Sequence, residues 1–177
     1  MKKIISFLFI SFISCNEASE DADTELTNKE IVEVYLLNKL NDSRGFCIDM
    51  WGHKTNADIN KSLQAHTCYS YQGEIAVDQG FNKLNINQDQ FFIEHFKVCM
   101  EALKAESASS LVLRDCDGNN NQKFILKNNG NIHPVSDLNL CLTVSEEFRE
   151  GGGGNPTHLI RNLSIEICDD SLSLRQK

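Results

Sequence analysis

Leu111-Val112-Leu113-Arg114-Asp115-Cys116, followed six residues after the cysteine by Gln122-Lys123-Phe124, is the stretch on which the fold turns. Its apolar residues fall at alternate positions, the period of a strand with one face buried and the other wet. The same grammar occurs twice more. Leu63-Gln64-Ala65-His66-Thr67-Cys68 and Leu163-Ser164-Ile165-Glu166-Ile167-Cys168 alternate in the same way and also end on cysteine. The Gln-x-aromatic signal recurs at Gln79-Gly80-Phe81, and Gln176-Lys177 would open a third copy. Before each alternating run stands another cysteine, Cys47, Cys99 or Cys141. These follow the strand-like Arg44-Gly45-Phe46, His95-Phe96-Lys97-Val98 and Asp137-Leu138-Asn139-Leu140. They lie 52 and 42 residues apart, about the length of one supersecondary unit. From Gln79 to Cys99 is 20 residues and from Gln122 to Cys141 is 19, whereas Gln72-Gly73-Glu74 lacks the ring and spoils this spacing. Three β-rich repeats in one chain follow.

The 177 residues are enough for one compact domain and a short tail, and 24% charged with 41% hydrophobic residues is ordinary for a globular chain. A formal net charge of −8 argues against nucleic acid as a partner, because binding phosphate requires clustered Lys and Arg. Met1-Lys2-Lys3 and the apolar run Ile4 to Ile13, interrupted by Ser6 and Ser11, predict a signal peptide over residues 1–14 and an exported protein. The run is too short to span a bilayer. Phe12-Ile13-Ser14-Cys15 resembles a bacterial lipoprotein signal, which implies acylation of Cys15 and contact with a membrane only through that lipid anchor; the alternative is ordinary secretion. Residues 15–30 read as a polar, acidic tether. The domain is expected over residues 31–177, its repeats at about 31–81, 82–124 and 125–177.

Setting Cys15 aside, six cysteines remain, an even count that suits a disulfide framework in an exported chain. Six cysteines admit fifteen connectivities. No Cys-x-x-Cys pair or histidine cluster suggests zinc. Asp49, Asp58 and Asp78 lack a calcium-loop motif, so no metal and no cofactor are expected.

A cysteine with an acid two residues on, then Gln-x-aromatic-x-Cys, then Gln-x-Trp, repeated three times, is similar to the ricin B-type lectin domain, over roughly residues 31 to 177. The resemblance implies an all-β fold, a β-trefoil of three four-stranded repeats. It also implies one disulfide within each repeat: Cys47–Cys68, Cys99–Cys116 and Cys141–Cys168. The chain departs from the family pattern by Phe81 and Phe124 in place of Trp, by a long loop from Tyr69 to Asp78, and by the insertion Gly151–Gly154.

A sugar offers hydroxyls in fixed geometry and an apolar C–H face, so its site needs a carboxylate, amides and a flat ring. Carried onto this sequence, the family pattern selects Asp49, Gln64, His66, Asp78 and Gln79 in the first repeat, with Trp51 as a second wall. The second repeat has Glu101, Val112 and Arg114 at the matching places, and the third has Thr143, Ser164, Glu166 and Arg175. One working site, in the first repeat, is therefore expected, for glycans with a galactose-type sugar in view. Plainer roles stand beside these: Asp49 capping the turn before Gly52, Gln64 and His66 as strand residues, Gln79 and Gln122 bonding backbone, Trp51 as an anchor, and Phe81 and Phe124 as core. Tyr69 and Tyr71 are placed to line the same cleft. No nucleophile elbow, metal-binding helix or phosphate loop occurs, and the acids Asp49 and Asp78 are accounted for by the binding pattern, so an enzyme is not expected. The alternative is a trefoil that binds protein, as an adhesin or protease inhibitor would, with a decayed sugar site.

Overall fold

The computed structural model describes residues 30–169. The expectations for the signal peptide, Cys15, the tether up to residue 29, Arg175 and Gln176-Lys177 fall outside the described residues. Within them the chain is built almost wholly of strands: β1 (Ile31–Val32), β2 (Phe46–Asp49), β3 (Gln64–Thr67), β4 (Phe81–Asn82), β5 (Phe92–Ile93), β6 (Val98–Ala102), β7 (Ser109–Arg114), β8 (Phe124–Leu126), β9 (Ile132–Pro134), β10 (Leu140–Glu150) and β11 (Leu159–Ile167). One four-residue helix, Lys83–Ile86, interrupts them, its N-terminus capped by the Asn82 side chain.

Each repeat contributes one antiparallel hairpin: β2–β3, β6–β7 and β10–β11. The hairpins meet along β11, which pairs with β3 through Ile160 opposite His66 and with β7 through Ser164 opposite Ser110. This is the expected β-trefoil. The alternating runs became β3, β7 and β11. The runs before the first cysteines did not become strands throughout, since each strand starts at the residue just before the cysteine. In the first two repeats the cause is local. Gly45 (φ 77°) and Lys97 (φ 57°) hold a left-handed turn that an extended chain cannot pass through.

The three disulfides are Cys47–Cys68, Cys99–Cys116 and Cys141–Cys168, the pairs implied by the family resemblance. They close loops of 21, 17 and 27 residues. Restricting the unfolded chain over loops of this size is worth roughly 3 kcal/mol each. On β2 the odd and even positions diverge: Phe46 and Ile48 enter the core, while Cys47 and Asp49 face the other side. Phe81, Phe91 and Phe124 stack edge-to-face at 6.0 Å between neighbouring centroids and are fully buried, so both Gln-x-Phe rings are core residues.

Candidate functional site

Asp49 on β2 lies directly opposite Gln64 on β3, and antiparallel partners share a face. The pairing has a direct consequence: Gln64 Nε2 donates to Asp49 Oδ2 at 2.8 Å and to the Met50 carbonyl at 3.3 Å. His66, two residues further along β3, shares that face, and Ile160 and Asn162 of β11 continue it. Asp78 Oδ2 accepts the Lys54 backbone N–H at 2.5 Å, and the Asp78 carbonyl accepts from Met50 N–H, so the loop after β2 is latched to the turn before β4. Gln79 is fully buried; its Oε1 accepts from Tyr69 N–H and its Nε2 donates to the Thr67 carbonyl. Gln122 repeats that role, accepting from Asp117 and Gly118 N–H and donating to the Asp115 carbonyl.

The five residues selected in the first repeat are thus brought together, but at two depths. Asp49 is 1% exposed, Gln64 6%, and Asp78 and Gln79 are fully buried. Above them opens a cleft of about 610 Å³ whose lining includes His66, Tyr69, His158, His53 and Lys54. Of the five, His66 alone lines the cleft; the others lie beneath its floor. Trp51 is 46% exposed and stands apart from the lining, with the Arg149 guanidinium 4.7 Å above its ring. Tyr69 lines the cleft, as expected, with its ring 5.1 Å from His66 and 5.2 Å from His158. Tyr71 stands behind the lining and reaches it through His158, sharing a 2.8 Å hydrogen bond between its hydroxyl and His158 Nε2.

Burial controls the electrostatics of this floor. It pushes the Asp49 carboxyl well above the ordinary carboxylate range; the Gln64 amide opposes the rise, the nearby Asp78 charge adds to it, and the Gln79 amide opposes it as well. Burial likewise lowers His66 to about 4, against the Thr67 carbonyl bond that favours its charged form. Since a carbonyl only accepts, His66 Nδ1 carries the proton in its 2.8 Å contact with Thr67, which leaves Nε2 of the neutral ring as an acceptor. His158 is lowered too, by burial first and then by the Arg44 charge. Asp49 Oδ1 and Asp78 Oδ1 are buried acceptors with no hydrogen-bond partner among the described residues.

One wall of the cleft comes from the third repeat. The strands β10 and β11 run past their disulfide to a tip that contributes Gly152, Gly153, Gly154 and His158. Arg44 fastens this tip to the first repeat by donating to the Pro156 and Thr157 carbonyls, and Thr67 Oγ1 accepts from Leu159 N–H. Gly154 is required where it stands: its φ is 93°, and a Cβ there would come within 2.6 Å of the His158 ring. Arg149, from the same hairpin, donates to Gln64 Oε1. Reading by repeat missed these residues. The glycine run was visible as an insertion, but nothing local to it shows where its tip lands.

Among the described residues two clusters could suggest a metal, His133 with Cys141 and Cys168, and Glu33 with Cys47 and Cys68. Their sulfurs are tied in disulfides and are not the thiolates a metal needs.

The sequence matches the ricin-type beta-trefoil lectin domain over residues 36–152. No curated protein sequence matches it. Among solved structures, the mdaA-1 domain is 15% identical with a TM-score of 0.58, covering 84% of this chain and 89% of that one. The β-trefoil lectin of the Vibrio vulnificus hemolysin/cytolysin, solved with N-acetyl-D-lactosamine bound, is 17% identical (TM-score 0.53; 83% and 91% covered). The agglutinin from Abrus precatorius is 15% identical (TM-score 0.58; 84% and 48% covered). Identities this low speak for the fold alone, whereas the match in sequence, lying over the ordered cysteine and glutamine motifs, decides the family: the chain belongs to the ricin-type beta-trefoil lectin domains.

Proposed function

We propose that the protein is a non-catalytic carbohydrate-binding module whose sugar site is the cleft over the first repeat. The observation that carries this reading is the cleft itself, with the rings of His66, Tyr69 and His158 packed at 5.1 to 5.2 Å over a buried carboxylate whose Oδ1 has no partner. Aromatic rings suit the C–H face of a sugar, and a buried acceptor without a donor is costly unless a hydroxyl reaches it. The Vibrio vulnificus lectin was solved with N-acetyl-D-lactosamine, which makes a galactose-type sugar a reasonable first ligand. The Asp49–Gln64–Arg149 chain of hydrogen bonds holds the carboxylate in place through Oδ2.

The module is exported and, in this reading, held to a membrane by an acylated Cys15 behind the tether. Cys15→Ser should then release the protein from the detergent phase; equal partitioning of both forms would refute the anchor. One open site gives weak affinity, on the order of mM to tens of μM, so attachment depends on many copies on one surface. The burial of Asp49 and Gln64 also favours a second reading, a trefoil that binds protein. A glycan array with the full chain, run beside Asp49→Ala, separates the two: binding lost in the variant supports the lectin, and a blank array supports the alternative.

A further inference from the structure

The chain carries a formal net charge of −8, yet among the described residues no Asp or Glu lines the cleft. Its ionisable lining consists of His53, Lys54, His66, Tyr69 and His158. Lys54 sits in a 3-10 turn, Lys54–Asn56, whose first backbone N–H is fixed by Asp78, so the side chain rises from an anchored base. No carboxylate of the described residues makes an ion pair with its ammonium. The other cations nearby are committed or displaced. Arg44 is bound to Asp42 and to two carbonyls of the glycine-rich tip. Arg149 lies beyond Ile160, in a separate hollow of about 160 Å³ that it shares with Glu147. Burial lowers His66 and His158 toward their neutral forms, and Lys54 is the one Lys or Arg of the lining. Asp78 opposes it from beneath the floor, while Asp49 is pushed toward its neutral form.

We infer that the sugar taken by this cleft bears an anionic substituent, a carboxylate or a sulfate, which pairs with Lys54 while the rings of His66 and Tyr69 hold its apolar face. The inference rests on the carbohydrate-binding reading above and names the class of sugar. A charged partner makes the stronger hydrogen bond, and no acidic side chain of the lining competes with an anion for Lys54.

The test is an array in which neutral glycans stand beside their sialylated and sulfated counterparts, probed with the full chain. Two variants accompany it. Lys54→Asn removes the charge and suits the left-handed backbone there (φ 48°). Gly152→Asp places an acid in the wall at a position where a Cβ meets nothing within 4 Å. The expected result is an anionic member bound about ten-fold more tightly than its neutral counterpart, a ratio that falls towards one in either variant and in high salt. Preference for sialylated or for sulfated members alone supports the inference and identifies the anion. Neutral glycans bound as tightly as their anionic counterparts, or a ratio untouched by both variants, overturns it and leaves the lectin reading standing. An array with no bound glycan removes both.

Discussion

Asp49 and Glu101 occupy the same place in successive repeats, two residues after the first cysteine, and they are handled in opposite ways. Glu101 is half-exposed, and its Oε2 accepts from Gln122 Nε2 and Asn119 Nδ2, both within its own repeat. Its extra methylene carries the carboxylate out to amides that satisfy it. Asp49 is shorter and stays under the floor, with Oδ2 held by Gln64 and Oδ1 without a partner. The surroundings differ as well: β3 is flanked by β11 and roofed by the β10–β11 tip, whereas β7 meets β11 only at Ser109 and Ser110. A carboxylate saturated by its own repeat is structure. One buried with an open acceptor is not satisfied by its own repeat.

The buried glutamines are where the two repeats should behave alike, and they give the largest effect. Gln79→Ala strands the buried Tyr69 N–H and Thr67 carbonyl, and Gln122→Ala the part-buried Asp117 and Gly118 N–H and Asp115 carbonyl, at roughly 2–4 kcal/mol of stability each. Chemical denaturation should find similar losses. A loss confined to one repeat would break the equivalence.

Asp49 and Glu101 should separate next. Asp49→Ala is expected to weaken glycan binding about ten-fold to a hundred-fold, the cost of leaving one buried polar group unmatched. Glu101→Ala and Thr143→Ala should leave titration calorimetry unchanged. If Glu101→Ala abolishes binding and Asp49→Ala does not, the site belongs to the second repeat.

Acid should then sharpen the contrast. His66 is held at about 4, below its ordinary 6.5, so the fold favours the neutral ring. Stability from this group is present above 6.5 and is lost as the pH falls toward 4. Melting curves should show that loss in wild type and a flatter profile in His66→Gln.

The smallest effect carries the opposite sign. Asp49 is raised above its ordinary value of 3.8, so its ionisation opposes folding as the pH climbs past that value. Asp49→Asn keeps an acceptor for Gln64, and its melting temperature should exceed wild type at about pH 7, by a few degrees at most, with the gain vanishing toward about pH 4. A variant less stable than wild type at neutral pH would show that the buried carboxylate supports the fold.

Much of this was legible in the order of residues alone. Alternation before Cys68, Cys116 and Cys168 marked β3, β7 and β11, because a half-buried strand has to repeat every second residue. The spacing of the cysteines and of Gln79 and Gln122 marked the repeats, and the family resemblance supplied the disulfide pairs now seen. The face shared by Gln64 and His66 was also readable, since strand side chains alternate.

What the order of residues could not carry was depth and the landing point of the hairpin. Asp49 is 1% exposed and bound to Gln64, which Arg149 reaches from a residue 85 positions away, and no local signal shows either. His158 and the glycine tip reach the first repeat only because β11 pairs with β3 and Arg44 grips Pro156 across 112 residues of chain. Local period and motif order belong to the sequence, since each is set by neighbours along the chain. The cleft belongs to the tertiary structure, since its two walls come from repeats that no local signal connects.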